Sequence, residues 1–145
     1  MTSQEIIALL PYQHPFLFVD EILLINENAV EGTYKFSPDL PFYNGHFKNN
    51  PITPGVILTE TMAQIGLVCL GIYLLNEQQK INANIKIAMT SNAVDYFLPV
   101  IPPQKVFVKS TKQYFRFNKL KCNVEMHNEK KELICNGSIA GMLKA

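Results

Sequence analysis

Tyr43-Asn44-Gly45-His46-Phe47-Lys48-Asn49-Asn50-Pro51-Ile52-Thr53-Pro54-Gly55-Val56-Ile57-Leu58-Thr59-Glu60-Thr61-Met62-Ala63-Gln64-Ile65-Gly66-Leu67-Val68-Cys69-Leu70-Gly71 is the stretch on which the fold turns. A histidine lies in a loop rich in proline and asparagine. Thr53 then reads as an N-cap with Pro54 at the first helical position, where a missing N–H costs nothing. From about Gly55 to Leu75 the residues predict one helix. Apolar residues surround its whole circumference past Ile65, and a helix of that kind is buried. It carries one acid, Glu60, near its start. Val56 to Leu75 matches the roughly 20 residues of a membrane span. Glu60, Gln64, two threonines and the lack of a basic flank at its start favour a buried helix of a soluble protein, with no membrane span.

Something must enclose that helix, and the flanking sequence supplies it. Upstream, Thr2-Ser3-Gln4-Glu5 has the form of a capping box ahead of Ile6, Ile7, Leu9 and Leu10, so a short helix opens the chain and Pro11 stops it. Tyr12-Gln13-His14-Pro15 is restricted by its second proline to an extended or turn conformation. Phe16 to Ile25 and Ala29 to Phe36 read as two strands joined by a turn at Asn26-Glu27-Asn28. Downstream, Ile85 to Pro99 and Val106 to Phe117 read as long strands separated by Pro102-Pro103. Leu120 to Met126 and Leu133 to Leu143 flank a polar turn at Asn128-Glu129-Lys130-Lys131. Antiparallel strands with one segregated helix predict an α+β fold, a curved antiparallel sheet wrapped around one long central helix, over a single domain, residues 1–145.

Composition narrows the function. The chain is 48% hydrophobic and only 17% charged, against about 25% charged in ordinary soluble domains, which leaves apolar surface for a partner subunit. A net charge of +1 gives no basic field for nucleic acid. The three cysteines, Cys69, Cys122 and Cys135, are odd in number and lack metal spacing, so reduced thiols in a cytoplasm are expected. No secretion signal is visible in residues 1–10. No metal site, phosphate loop or nucleotide fingerprint is present in the sequence, and no cofactor or metal is expected.

The residues able to do chemistry converge on the opening stretch. His46 can take a proton near neutral pH, Glu60 can give one, and Gln64, one turn further along the same helix face, can orient the carboxyl. Gly55 offers a side-chain-free N–H at a helix N-terminus, where developing negative charge is favoured. The set suits proton abstraction next to a carbonyl. A lone loop histidine is commonly a turn residue, and His14 and His127 are read that way. A glutamate in early helical turns commonly serves the dipole. Glu60, however, has Ile57, Leu58, Met62 and Ile65 around it and is expected to be largely desolvated, and a buried acid needs a use. Burial raises its pKa and the helix N-terminus lowers it; the sequence leaves that balance open.

These residues resemble a known family, the 3-hydroxyacyl-[acyl carrier protein] dehydratases of fatty acid synthesis, which have the hotdog fold. The resemblance covers Leu10-Pro11, Pro15-Phe16-Leu17 and Val19-Asp20, then Gly45-His46-Phe47, Pro51 with Pro54-Gly55-Val56, Glu60, and Met62-Ala63-Gln64, with Pro99-Val100 and Pro102 further on. It implies that His46 takes the C2 proton of a 3-hydroxyacyl thioester and that Glu60 protonates the departing C3 hydroxyl, giving a trans-2-enoyl thioester. It further implies that the Gly55 N–H holds the thioester oxygen and that Gln64 supports Glu60. Members pair as homodimers, or higher oligomers of dimers, in which the histidine and carboxylate of one site come from different subunits. Their partner is the acyl carrier protein. A glutamate in place of the aspartate of the dehydratase/isomerase branch implies plain dehydration.

The chain departs from the family pattern at Lys48-Asn49, where a Pro-Gly is usual, at Tyr12-Gln13, where His-Arg is usual, and at Pro102-Pro103-Gln104, where Pro-Gly-Asp is usual. These departures imply a specialised relative, such as one serving a polyene or polyketide. Tyr96, Phe97 and Leu98 are expected to line the acyl tunnel or to be core aromatics. Lys105, Lys109, Lys112, Arg116, Lys119 and Lys121 are expected to form a solvated strand face, or with Lys48 to steer an acidic carrier. A hotdog thioesterase, using the helix carboxylate to activate water, and a non-catalytic acyl-binding or structural subunit are the alternatives. The Gly-His-Phe turn argues against the first and the intact His46 and Glu60 against the second.

Overall fold

In the computed structural model, which describes residues 1–144, the chain opens with helix α1, Ser3–Leu9. Both arms of its capping box form: Thr2 Oγ1 accepts from the Glu5 N–H at 3.1 Å and Glu5 Oε2 accepts from the Thr2 N–H at 3.0 Å. The strands are β1, Glu21–Ile25; β2, Ala29–Phe36; β3, Lys86–Tyr96; β4, Gln104–Arg116; β5, Lys119–His127; and β6, Leu133–Lys144. They form one six-stranded sheet in the order β1-β2-β4-β5-β6-β3. Every neighbouring pair is antiparallel.

Helix α2, Gly55–Glu77, runs between β2 and β3. It is α-helical over Gly55–Ala63, widens to a π-helix over Gln64–Cys69, and returns to α over Leu70–Glu77. Its π segment touches β2, β4, β5 and β6, so the sheet encloses the helix as the apolar circumference requires. Met62, Ile65, Cys69, Leu70 and Ile72 are fully buried. The close approach is made at Gly66. A Cβ there would stand 3.0 Å from Ser110 Cβ and 3.0 Å from Val124 Cγ1, and the Ser110 hydroxyl donates to the Gly66 carbonyl at 2.8 Å. The widened turn frees a helix carbonyl from its usual partner, and a buried strand hydroxyl takes it over.

Four expectations need correction. The strand foreseen from Phe16 begins only at Glu21. Phe16 and Phe18 spend their backbone groups on Gln64 of α2, and Asp20 N–H reaches Thr33 O at 2.8 Å ahead of the ladder proper. Thr53 does not cap α2: Pro54 holds the N-cap position without a side-chain bond, and Thr53 Oγ1 instead pairs with the Tyr43 hydroxyl at 2.5 Å. The helix runs on past Leu75 to Glu77. The strand foreseen through Pro99 ends at Tyr96, because the Phe97 and Leu98 N–H groups both turn to the Ile134 carbonyl.

Other expectations hold. The Asn26-Glu27-Asn28 turn closes with Asn26 Oδ1 accepting from Asn28 and Ala29. Cys69, Cys122 and Cys135 are buried and unpaired, and burial pushes the Cys69 and Cys135 thiols up to about 12 and Cys122 to about 11. The sheet has two edge strands, short β1 and long β3, and the long one is bare. β3 pairs only with β6, and nine of its eleven residues are exposed, Met89 and Tyr96 among them.

Candidate active site

His46 is held in place by its loop. A single 3-10 turn, Pro41–Asn44, leads into Gly45, and His46 N–H donates to Phe42 O at 3.1 Å. The Phe47 and Asn50 backbones exchange bonds of 2.8 and 2.9 Å, and Ile52 N–H returns to His46 O at 2.9 Å. Asn49 supplies the left-handed residue of this turn, at φ 56°. Asparagine is among the few side chains that adopt that conformation readily, so the turn closes without glycine. His46 Nδ1 lies 2.8 Å from the Ile52 carbonyl. A carbonyl only accepts, so Nδ1 carries a proton, and in the neutral ring the lone pair falls to Nε2. The imidazole also stacks on the Phe47 ring, 3.9 Å between centroids.

Gly55 opens α2 beside this loop. Tyr96, at the end of β3, lays its ring 3.4 Å from where a Gly55 Cβ would stand, and its hydroxyl bonds to Thr59 Oγ1. Thr53 N–H donates to Val100 O at 2.9 Å, tying the loop exit to the segment after β3. His46, Gly55, Tyr96, Phe97 and Leu98 accordingly line one cleft of about 360 Å³. Of the residues named from the sequence, these five come together.

Glu60 and Gln64 do not join them. Glu60 lines a separate cavity of about 190 Å³ with Tyr12, Phe16, Leu67, Ile87 and Met89. Gln64 is fully buried behind it and spends its whole amide. Its Oε1 accepts from Phe18 N–H at 2.8 Å, while Nε2 donates to Phe16 O at 3.0 Å and to Glu60 Oε2 at 3.0 Å. Since Phe18 N–H can only donate, the amide orientation is fixed. Gln64 thereby makes Oε2 an acceptor, so that when the carboxyl is protonated the proton sits on Oε1. Glu60 is half-buried rather than largely desolvated as expected. Its pKa is raised even so: burial pushes it up more than the Gln64 bond pulls it down.

Neither Tyr12 beside Glu60 nor the Thr59–Tyr96 bond was foreseen from the sequence. Tyr12 was legible only as a turn residue between prolines, and it meets Glu60 across a separation of 48 residues in the chain. A larger hollow of about 580 Å³ lies on the sheet among Glu31, Lys109, Asn123 and Glu125, and is lined by neither His46 nor Glu60. Two of the six clustered basic residues are engaged on the strand faces, Lys105 with Glu21 at 3.3 Å and Lys109 with Glu31 at 3.7 Å.

A six-stranded antiparallel sheet wrapped around one long helix, with a histidine in the loop before the helix start and a glutamate of raised pKa within it, defines a protein of the hotdog fold. The sequence model of a family described as "FabA-like domain" matches residues 10–139, and the chain belongs to that family, the 3-hydroxyacyl-[acyl-carrier-protein] dehydratases among it. A 3-hydroxyacyl-[acyl-carrier-protein] dehydratase FabZ of Sinorhizobium fredii is 34% identical over 144 residues, covering 97% of this chain and 88% of the relative. One of Ehrlichia canis is 30% identical over 145 residues, covering 97% and 94%. Among solved structures, the dehydratase heterocomplex ApeI:P from Xenorhabdus doucetiae superposes with a TM-score of 0.81 at 12% identity, covering all of this chain and 93% of the other, a likeness of fold.

Proposed function

We propose that this dehydratase builds each site from two chains, the His46 cleft of one protomer meeting the Glu60 cavity of its partner in a homodimer. The observation that carries the reading is the separation itself: one chain holds a prepared base and a prepared acid that face different cavities. The bare edge of β3 borders both, through Tyr96 at one end and Ile87 and Met89 at the other. An exposed edge of that kind pairs readily with another strand.

In such a site the substrate is a 3-hydroxyacyl thioester presented by an acyl carrier protein. His46 Nε2 removes the C2 proton, and the Gly55 N–H holds the thioester oxygen as it gains negative charge. The C3–O bond then breaks as Glu60 passes its proton from Oε1 to the departing oxygen. The products are a trans-2-enoyl thioester and water, and a proton passing from His46 back to Glu60 restores both groups. The raised pKa of Glu60 suits the acid role, since it keeps more of the carboxyl protonated toward neutral pH. Tyr96, Phe97 and Leu98 form the wall along which the acyl chain lies. Lys48, exposed beside His46, and the exposed Arg116 steer the acidic carrier. The enzyme works in the cytoplasm, its one long apolar helix being the buried core helix.

The test is dehydration by wild-type protein, followed by enoyl absorbance with free thiol monitored in parallel, and then subunit mixing. His46→Ala and Glu60→Gln proteins are each expected to be inactive. Mixed and re-equilibrated at equal amounts, they should recover about one quarter of wild-type activity, because half the dimers are mixed and one of their two sites is whole. No recovery from a mixture shown to exchange subunits defeats the two-chain site. Release of thiol without enoyl signal defeats dehydration in favour of hydrolysis.

A further inference from the structure

The cavity that holds Glu60 is lined by Tyr12, Phe16, Ala63, Leu67, Ile87 and Met89, with Val68 completing it. Apart from Glu60, Tyr12 is the one residue of that lining with a polar side chain. Its ring packs against the core and is held in place from both sides. Pro11 precedes it, Phe16 N–H closes the following turn on Gln13 O at 2.8 Å, and the Phe16 carbonyl is anchored by Gln64 at 3.0 Å. The same Gln64 amide that orients Glu60 thus fixes the loop carrying Tyr12.

We propose that Tyr12 is a further substrate-contacting residue of the dehydration, its hydroxyl donating to the C3 hydroxyl oxygen while Glu60 delivers a proton to that same oxygen. The inference rests on the dehydratase reading and adds a second group to its acid half. As the C3–O bond lengthens, its electron pair moves onto oxygen, and a second donor stabilises the charge that gathers there. The proton that completes the water comes from Glu60, and Tyr12 keeps its own. Burial, with the Glu60 charge adding to it, pushes the phenol pKa above its ordinary 10, so Tyr12 stays a neutral donor throughout the working range. In the half of the site that this chain supplies around Glu60, Tyr12 and Glu60 are the two lining side chains able to donate to the departing oxygen.

The test is Tyr12→Phe, which keeps the ring and its packing, assayed on the 3-hydroxyoctanoyl thioester of N-acetylcysteamine. Expected is a kcat lower by about 10²-fold, the order of losing one donor to a developing oxyanion, with KM nearly unchanged. Tm should match wild type. Tyr12→His, which restores a donor, should recover part of the lost kcat. A Tyr12→Phe protein with wild-type kcat overturns the inference while leaving the dehydratase reading in place. So does a loss in kcat accompanied by a fall in Tm that Tyr12→His does not reverse. Wild-type protein that fails to dehydrate the thioester overturns both.

Discussion

His46 Nδ1 and the carbonyl oxygen of Ile52 stand 2.8 Å apart, six residues along one loop, and that contact decides which imidazole nitrogen can act as a base. Nitrogen NMR of the protein at a pH where His46 is neutral should show the Nδ1–H tautomer. His46→Ala should lower kcat by about 10²–10⁴-fold, the usual worth of a positioned base. Observation of the Nε2–H tautomer would contradict the assignment.

Gln64 serves three groups at once, and Gln64→Leu removes all three bonds without changing the apolar surroundings. The buried Phe18 N–H is left without an acceptor at a cost of about 1–3 kcal/mol, and the part-buried Phe16 carbonyl loses its donor. A clear loss in the denaturant midpoint is expected. The pKa of Glu60 should rise further, because the bond that pulled it down is gone. An unchanged midpoint would mean that water replaces the amide.

The raised pKa of Glu60 has a signature in stability. Glu60 holds its proton more tightly in the folded chain than in the unfolded one, whose ordinary value is 4.5, so folding takes up protons between the two values. The stabilisation this brings is fully present below 4.5 and is lost as pH rises through the folded value. Glu60→Gln has no such dependence. The Tm of Glu60→Gln minus that of wild type should therefore grow as pH increases above about 4.5. A difference that shrinks with pH would reverse the sign of the shift.

The widened turn of α2 depends on a contact between helix and sheet. Gly66→Ala places a methyl 3.0 Å from both Ser110 and Val124 and should cost about 1–3 kcal/mol through overpacking. Ser110→Ala leaves the Gly66 carbonyl without its hydroxyl donor, with a cost of similar order. Urea unfolding measures both. Neutral effects would show that the turn repacks freely.

The long helix was legible because residues past Ile65 are apolar on every side, a pattern only enclosure satisfies. Strands β2, β4, β5 and β6 followed from short-range alternation and turn residues. What escaped depends on partners remote in the chain. The ladder begins late at Glu21 because a side chain 46 residues beyond Phe18 takes its N–H. The π turn places the Gly66 carbonyl against a serine 44 residues away. Thr53 looked like a cap by its neighbours but found Tyr43 instead. His46, Gly55, Glu60 and Gln64 could be picked out as reactive groups, yet spacing along one chain carries no information on which cavity each will face. Asn49 was legible as a departure, and only its φ shows why the turn tolerates it.

The clamp of Gln64 on the Phe16–Phe18 segment also orders events in time. It joins residues 46 and 48 apart, while the hairpins of β1–β2 and β4–β5 close over a few residues. Short closures are entropically cheaper and come earlier. A refolding chain should therefore form these two hairpins before Glu60 is oriented, with catalytic competence arriving only once the amino-terminal segment has docked.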